Sequence, residues 1–206
     1  MSTLRSLAFL AILLLFTGLL ASQSNVKTAY KGVELDIEFK SDTIDCDAIV
    51  YDEELIKQSR SNPCKFTVGF DELGLVNTRL MTLGGIELKH LLYEVKPMPE
   101  IRAFIGASYG GEVPLEEFLD QKGIDVECID GGIDESLELS FFKFEHYRGK
   151  ERLLRRLNKG PRYNTEISNL ILRVEEGDKI KFTEIEVKIG EFNPVTISPL
   201  LIEIPD

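Results

Sequence analysis

Over residues 30–40 the apolar side chains Val33, Leu35, Ile37 and Phe39 alternate with Glu34, Asp36, Glu38 and Lys40. A period of two sends successive side chains to opposite faces, so the segment predicts a half-buried strand. Residues 43–51 predict a second strand, and residues 64–70 a third, with Phe66, Val68 and Phe70 on one face. Residues 78–83 and 87–95 predict two more, set off by turns at Gly74 and Gly84-Gly85. Short strands at this spacing, divided by glycine turns, predict an antiparallel, Ig-like β-sandwich over residues 25–97.

The pair Pro97 and Pro99 breaks the pattern. Proline has no amide hydrogen to give a central ladder, so a domain boundary is expected at 97/98. Beyond it, residues 101–105 predict a short strand and 106–111 a glycine turn. A helix is expected over 114–122, with Pro114 in its first turn, Glu116 and Glu117 near its positive end and Gly123 as its stop. Strands follow at 124–128 and at 136–147, the latter rich in Phe and Tyr. A hairpin turn at 148–150 leads into a strand at 151–157. Asn164 or Thr165 caps a helix running to about Val174, with Ile167, Leu170, Ile171 and Val174 on one face. Two strands close the chain at 179–189 and 194–204, and the alternation slips at Thr183-Glu184, which is the mark of a bulge. The expected fold is therefore mostly β: two β-sandwich-like domains, 25–97 and 98–206, the second with two short helices.

Residues 1–22 stand apart from this pattern. Arg5 precedes an almost wholly apolar run over 7–20, and Ala21-Ser22-Gln23-Ser24 follows it. That order of charge, apolar run and small residues is that of a secretory signal peptide. The run falls short of the roughly 20 residues a spanning helix needs. An exported chain beginning near Gln23 is expected, in the periplasm or associated with the cell envelope; an uncleaved anchor is the alternative. In an oxidising compartment Cys46 and Cys64 are candidates for a disulfide, leaving Cys128 over; three small buried thiols are the other reading.

Charge narrows the partners. The chain of 206 residues carries 24 Lys and Arg against 35 Asp and Glu, a net charge of −11. An acidic protein is poorly matched to a nucleic-acid polyanion. Two His and three Cys leave little material for a zinc site. His146 follows Glu145 on a strand, so the two point to opposite faces, and an exposed strand His is expected; His90, among leucines, is expected to be half-buried. Neither accompanies a nucleophile motif, so no enzyme is expected. The acidic stretches 45–47 and 130–135 lack calcium-loop spacing, and 106–111 lacks a dinucleotide fingerprint. No cofactor, metal or small-molecule substrate is expected.

One segment reverses the sign of the chain. Arg148, Lys150, Arg152, Arg155, Arg156, Lys159 and Arg162 lie together with Glu151 as the only acid among them. On a regular strand Arg152 and Arg156 share one face. Two readings stand: an edge strand protected by charge, and a docking surface for an acidic partner.

Four stretches of the second half carry a family resemblance. They are 93–99, in which a strand ending in Val95-Lys96 meets the prolines; Gly110-Gly111 followed by the short helix; the long strand at 137–144 with its hairpin; and Glu176-Gly177-Asp178-Lys179-Ile180-Lys181-Phe182-Thr183-Glu184-Ile185. Together they resemble the C-terminal periplasmic region of the GldM family, the shaft protein of bacterial gliding motility and type IX secretion. Residues 25–92 are similar to the preceding sandwich of that family by pattern alone. The resemblance implies a non-enzymatic docking or structural component whose partners are proteins of the envelope, including components of the secretion ring, and leaves a homo-oligomer open. The family's motor-coupled membrane helix has no counterpart here, so that role is not carried over. A stand-alone envelope or surface binding module with the same fold is the alternative.

Overall fold

The computed structural model describes residues 26–206 apart from Ser41, Thr43 and Asp134. The expected leader over 1–22 and its cleavage near Gln23 lie outside the described residues. The first half forms strand by alternation over Glu34–Glu38, Lys65–Gly69 and Glu87–Lys96, within or close to the expected segments, whereas the strands at Lys27–Tyr30 and Ile56–Gln58 are not among those expected. Its strands are β1 (Lys27–Tyr30), β2 (Glu34–Glu38), β3 (Ile49–Val50), β4 (Ile56–Gln58), β5 (Lys65–Gly69), β6 (Gly74–Thr82) and β7 (Glu87–Lys96). They form two sheets, β1-β7-β6-β3 and β2-β5-β4. Leu35, Ile37, Phe66 and Val68 of one sheet share a core with Ala29, Leu80, Leu91, Tyr93 and Val95 of the other, which makes this half a β-sandwich. Burying each larger apolar side chain contributes about 1.5–3 kcal/mol. The sandwich is not wholly antiparallel, because β1 runs parallel to β7.

The strand expected over 43–51 is replaced by a 3-10 turn at Cys46–Ala48 and only two strand residues, β3. The Ala48 amide donates to the Asp45 carbonyl at 3.2 Å and closes the turn. It holds Cys46 inward, where it is bonded to Cys64, while Cys128 is a free thiol. Of the two readings of the cysteines, the disulfide is the one present.

The second half comprises β8 (Ile101–Phe104), β9 (Gly111–Glu112), α1 (Leu115–Asp120), β10 (Asp125–Cys128), β11 (Leu137–Arg148), β12 (Glu151–Lys159), α2 (Thr165–Ile171), β13 (Asp178–Ile189), β14 (Val195–Ile197) and β15 (Leu200–Glu203). The main sheet runs β12-β11-β13-β15-β9, with β14 also on β13, and β8 pairs only with β10. Phe142, Phe144, Ile180 and Phe182 of the sheet share a second core with Ala103 of β8, Phe118 of α1, and Ile167 and Ile171 of α2.

Several boundaries differ from expectation for local reasons. Helix α1 ends at Asp120, and Gly123 does not cap it. Gly123 sits where the chain crosses β12's continuation, and a Cβ there would run into the Pro161 carbonyl oxygen. The Asn164 side chain accepts from the Ile167 amide at 2.9 Å, the capping bond that starts α2, but the helix stops at Ile171. The final strand is divided by Ser198-Pro199 into β14 and β15. The expected slip is real: Glu184 has φ +48°, and β13 changes register against β11 nearby.

Among the described residues no sheet crosses 97/98, but the first core does: Ile101, Ile189 and Phe192 belong to it. Phe192 packs edge-on against Phe70, with ring centres 5.7 Å apart, and against Tyr93 at 6.1 Å. Beside it the Asn193 amide donates to the Glu34 carbonyl at 2.7 Å. Glu191 accepts from the Tyr93 hydroxyl at 2.8 Å and from Lys27 at 2.7 Å. Burial, and then the Glu191 carboxylate, raise the Tyr93 phenol above its ordinary pKa. The loop after β13 is thus built into the first sandwich.

Candidate docking face on the six-stranded sheet

Strand β11 separates two chemistries. Phe142, Phe144 and His146 turn to the core, while Lys143, Glu145 and Tyr147 lie on the other face. His146 is buried, at 2% exposure, not exposed as expected. Its partner comes from the neighbouring strand: Nε2 donates to Asp178 Oδ2 at 2.7 Å. Asp178 also accepts from Arg148 Nε at 2.8 Å, from Arg148 Nη2 at 2.9 Å and from the Glu175 amide at 2.9 Å. Burial alone would raise the Asp178 carboxyl. The Arg148 fork, the Glu175 amide and His146 outweigh it and hold the pKa at about 2. The same bond raises the Arg148 guanidinium further above its ordinary range. Arg148, the first residue of the basic segment, is therefore a clamp on the start of β13.

The rest of the segment is largely neutralised by carboxylates distant in sequence. A register shift between His146 and Tyr147 sets Arg152 opposite Tyr147 and Arg155 opposite Glu145. Leu153 is the extra residue. Consequently Arg152 and Arg155, not Arg152 and Arg156, share a face, and both reach Glu145 Oε1, at 3.7 and 3.2 Å. Glu145 is only 8% exposed and also accepts from the Tyr147 hydroxyl at 2.9 Å. Arg155 extends to Glu184 at 3.0 Å, which Lys143 also contacts. Lys181 lies over the Tyr147 ring, 4.8 Å from its centre, and Lys179 meets Glu203 at 2.6 Å. Arg156, on the opposite side, pairs with Glu166 of α2, and Arg162 stands 3.7 Å from Asp125. Among the described residues no ion pair is found for Lys150 or Lys159.

Strand β12 is an outer edge of the sheet, and its edge is capped. Arg156 Nη1 donates to the Arg155 carbonyl at 2.8 Å and Asn164 Nδ2 to the Leu157 carbonyl at 3.0 Å. Asn158, 1% exposed, ties the following turn through Gly160 and Arg162 carbonyls, both at 2.9 Å. A bulge, charge and side-chain caps are the devices by which a strand edge is kept from pairing. The result is an outward face on β11, β12 and β13 bearing interlocked Lys, Arg and Glu, with Lys150 and Lys159 at its ends.

Sequence reasoning missed Asp178 and Asn158, two of the buried polar residues that organise this half. The signal for Asp178 was its place after Gly177 at the start of a strand; Asn158 had none beyond being uncharged among arginines. His90 is exposed instead of half-buried, and its Nε2 lies 2.8 Å from Asn77 Oδ1. Among the described residues no group of three or more His, Cys, Asp or Glu could hold a metal ion, and no helix is long and apolar enough to cross a membrane.

No family model matches the chain, and no curated protein matches it. Among solved structures, fibronectin(III)-like modules of Clostridium thermocellum CbhA are similar at 16% identity. The match covers 89% of this chain and 92% of that one, with a TM-score of 0.31. At that score the overlap carries no argument about either fold or role, and the β-sandwich is read from the sheets and core described above.

Proposed function

We propose that the chain is a non-enzymatic docking or structural module of the cell envelope, related to the shaft protein of gliding motility and type IX secretion. The observation that carries this reading is the outward face of the main sheet. Glu145, Glu184, Arg152 and Arg155 are held against one another on rigid strands, so the face is set before any partner arrives, and preorganisation lowers the cost of association. Alternating fixed charges give register and partner choice more than raw affinity. Built into one another through Phe192 and Glu191, the two halves suit a load-bearing or spacing element. The leader-like residues 1–22 support export, and the resemblance of the four stretches between 93 and 185 supports the proposed kinship.

The test is cross-linking in the native host of a C-terminally tagged chain, followed by identification of its neighbours and of its own N-terminus. Secretion-ring components in the cross-links, with a terminus near Gln23, are the expected result. An intact Met1 on a cytosolic protein with cytosolic neighbours would overturn the envelope assignment. An exported chain whose neighbours are unrelated to secretion would leave the stand-alone binding module as the reading.

A further inference from the structure

The two sandwiches treat their outer strand edges differently. The β12 edge is bulged, charged and capped. The β6 edge is shifted in register only at Leu80/Met81 and carries one charged side chain, Arg79, which pairs with Glu87. On one side β6 pairs with β7 throughout; on the other, β3 covers only Met81 and Thr82. Among the described residues no strand pairs with that outer side between Gly74 and Leu80. The seven residues from Gly74 to Leu80 span about 23 Å at roughly 3.3 Å each. An uncovered edge of this length is a template for a further strand.

Beside the edge the sandwich is open. A cleft of about 560 Å³ runs between the start of β6 and the loops before β4 and after β5. Its floor is apolar, made by Leu55, Phe70 and the half-buried Val76. On its rim Leu73 and Leu75 are 57% and 66% exposed. Glu54, Asp71 and Glu72 also border it, and none of the three is in an ion pair among the described residues.

We propose that β6 takes an extended peptide of a partner protein as an added strand, one that alternates apolar residues with Lys or Arg. Main-chain bonds along Gly74–Leu80 supply affinity, and alternate side chains supply specificity. The apolar residues of the added strand face the cleft floor. Its cations are drawn to Glu54, Asp71 and Glu72, the charges that border the cleft, while Arg79 further along the edge is paired with Glu87, so the cleft favours basic over acidic strands. Val76 and Thr78, which point inward, stay in place, and Leu73 and Leu75 lose their exposure to water. This surface lies on the first sandwich, apart from the β12 arginines, and does not depend on the docking reading of that face.

The experiment uses the folded protein, an acetylated and amidated heptapeptide alternating Lys and Val, and amide NMR shifts with a calorimetric titration. The expected result is saturable binding with shifts over Gly74–Leu80. Methylating alternate peptide amides, or replacing its Lys by Glu, should weaken binding at least tenfold. Exchanging Asp71 and Glu72 together for Lys should do the same without lowering the unfolding midpoint, since both side chains are exposed. Absence of shifts on β6 with the Lys–Val peptide, or equal binding of the methylated one, would overturn the proposal. Dimerisation of the free protein that Leu75→Lys abolishes would also overturn it, by assigning the edge to a second copy.

Discussion

Asp178 receives both Nε and Nη2 of Arg148, at 2.8 and 2.9 Å, across the β11–β13 pair. The carboxylate is buried while the guanidinium is half in water, so the pair closes the end of the sheet as a lid over His146. Asp178→Asn keeps the shape and removes the charge that four donor atoms of three residues address. Bonds to a charged group contribute about 1.5–3 kcal/mol each, yet they share one carboxylate and are not additive. The expected loss is about 2–4 kcal/mol, read as a lower urea midpoint at unchanged slope. Arg148→Ala should cost less, because His146 and the Glu175 amide still satisfy the carboxylate. Equal stability of wild type and Asp178→Asn would refute the clamp.

The same carboxylate sets an acid limit. Its folded pKa of about 2 lies below the ordinary value of 3.8, so its ionised form is favoured by folding. The contribution is fully present above about pH 4 and disappears as pH falls through the folded value. Its size is about 2 kcal/mol. Stability measured between pH 5 and pH 2 should fall less steeply in Asp178→Asn than in wild type. Parallel curves would place the acid sensitivity elsewhere.

On the outward face the ion pairs predict a rank order. Arg155 touches both Glu145 and Glu184, and Glu145 is nearly buried, whereas Arg152 approaches Glu145 only at 3.7 Å. Exposed pairs contribute about 0–1 kcal/mol, and removing the partner of a more buried charge costs more. Arg155→Gln should destabilise by about 1 kcal/mol and Arg152→Gln by less than about 0.5 kcal/mol, in chemical denaturation at low salt. Long-range attraction to an acidic partner should instead depend on Lys150 and Lys159, for which no ion pair is found among the described residues. Their exchange for Gln should slow association without changing stability.

How far the sequence foretold this protein depends on whether the deciding contact was local. Alternation over 136–147 is local and its strand appears where expected, whereas the segment 30–40 is strand only over Glu34–Glu38, because a turn at Lys31 and Gly32 ends β1 at Tyr30. The bulge at Glu184 left a local trace as a slip in that alternation. The disulfide was one of two readings, because two cysteines 18 apart do not declare whether their strands face each other. His146 was read as exposed because its partner, Asp178, is 32 positions away and its burial follows from sheet order alone. The basic segment read as seven free cations for the same reason: Glu145, Glu166, Glu175 and Glu184 are brought to it only by pairing of β11, β12 and β13 and the docking of α2. Register also decided faces, since one extra residue at Leu153 exchanged the partner of Arg152 from Arg156 to Arg155. The prolines at 97 and 99 marked a break between sheets, but nothing near them signalled that Phe192 packs across it.

Reducing the Cys46–Cys64 bond frees a loop of 18 residues. A cross-link of that span restricts the unfolded chain by about 3 kcal/mol. Cys46→Ser with Cys64→Ser should lower stability by that order, and a reductant should lower the wild type to the same level while leaving the double variant unchanged. Cys128, a free thiol in β10, should react with a thiol reagent in the native oxidised protein at one equivalent. A reductant-insensitive wild type would show that the bond does not form.

Phe192 tests whether the halves fold as one. It follows β13 in the chain, yet its ring is 2% exposed within the first core, against Phe70 and Tyr93. Removing a buried Phe ring costs about 3–5 kcal/mol through lost burial and the cavity left behind. If the halves were independent, Phe192→Ala would leave the first sandwich unaltered, since every strand of that sandwich lies before residue 97. The contacts require the reverse: amide exchange in β7, which carries Tyr93, should accelerate by the full loss in stability, while β11 amides change only in so far as the halves unfold together. Glu191→Gln should have a smaller effect in the same direction, because Lys27 and the Tyr93 hydroxyl lose a charged acceptor at a site open to water. Exchange in β7 unaffected by Phe192→Ala would mean that the ring is a passenger and that the boundary at 97/98 divides cores as well as sheets.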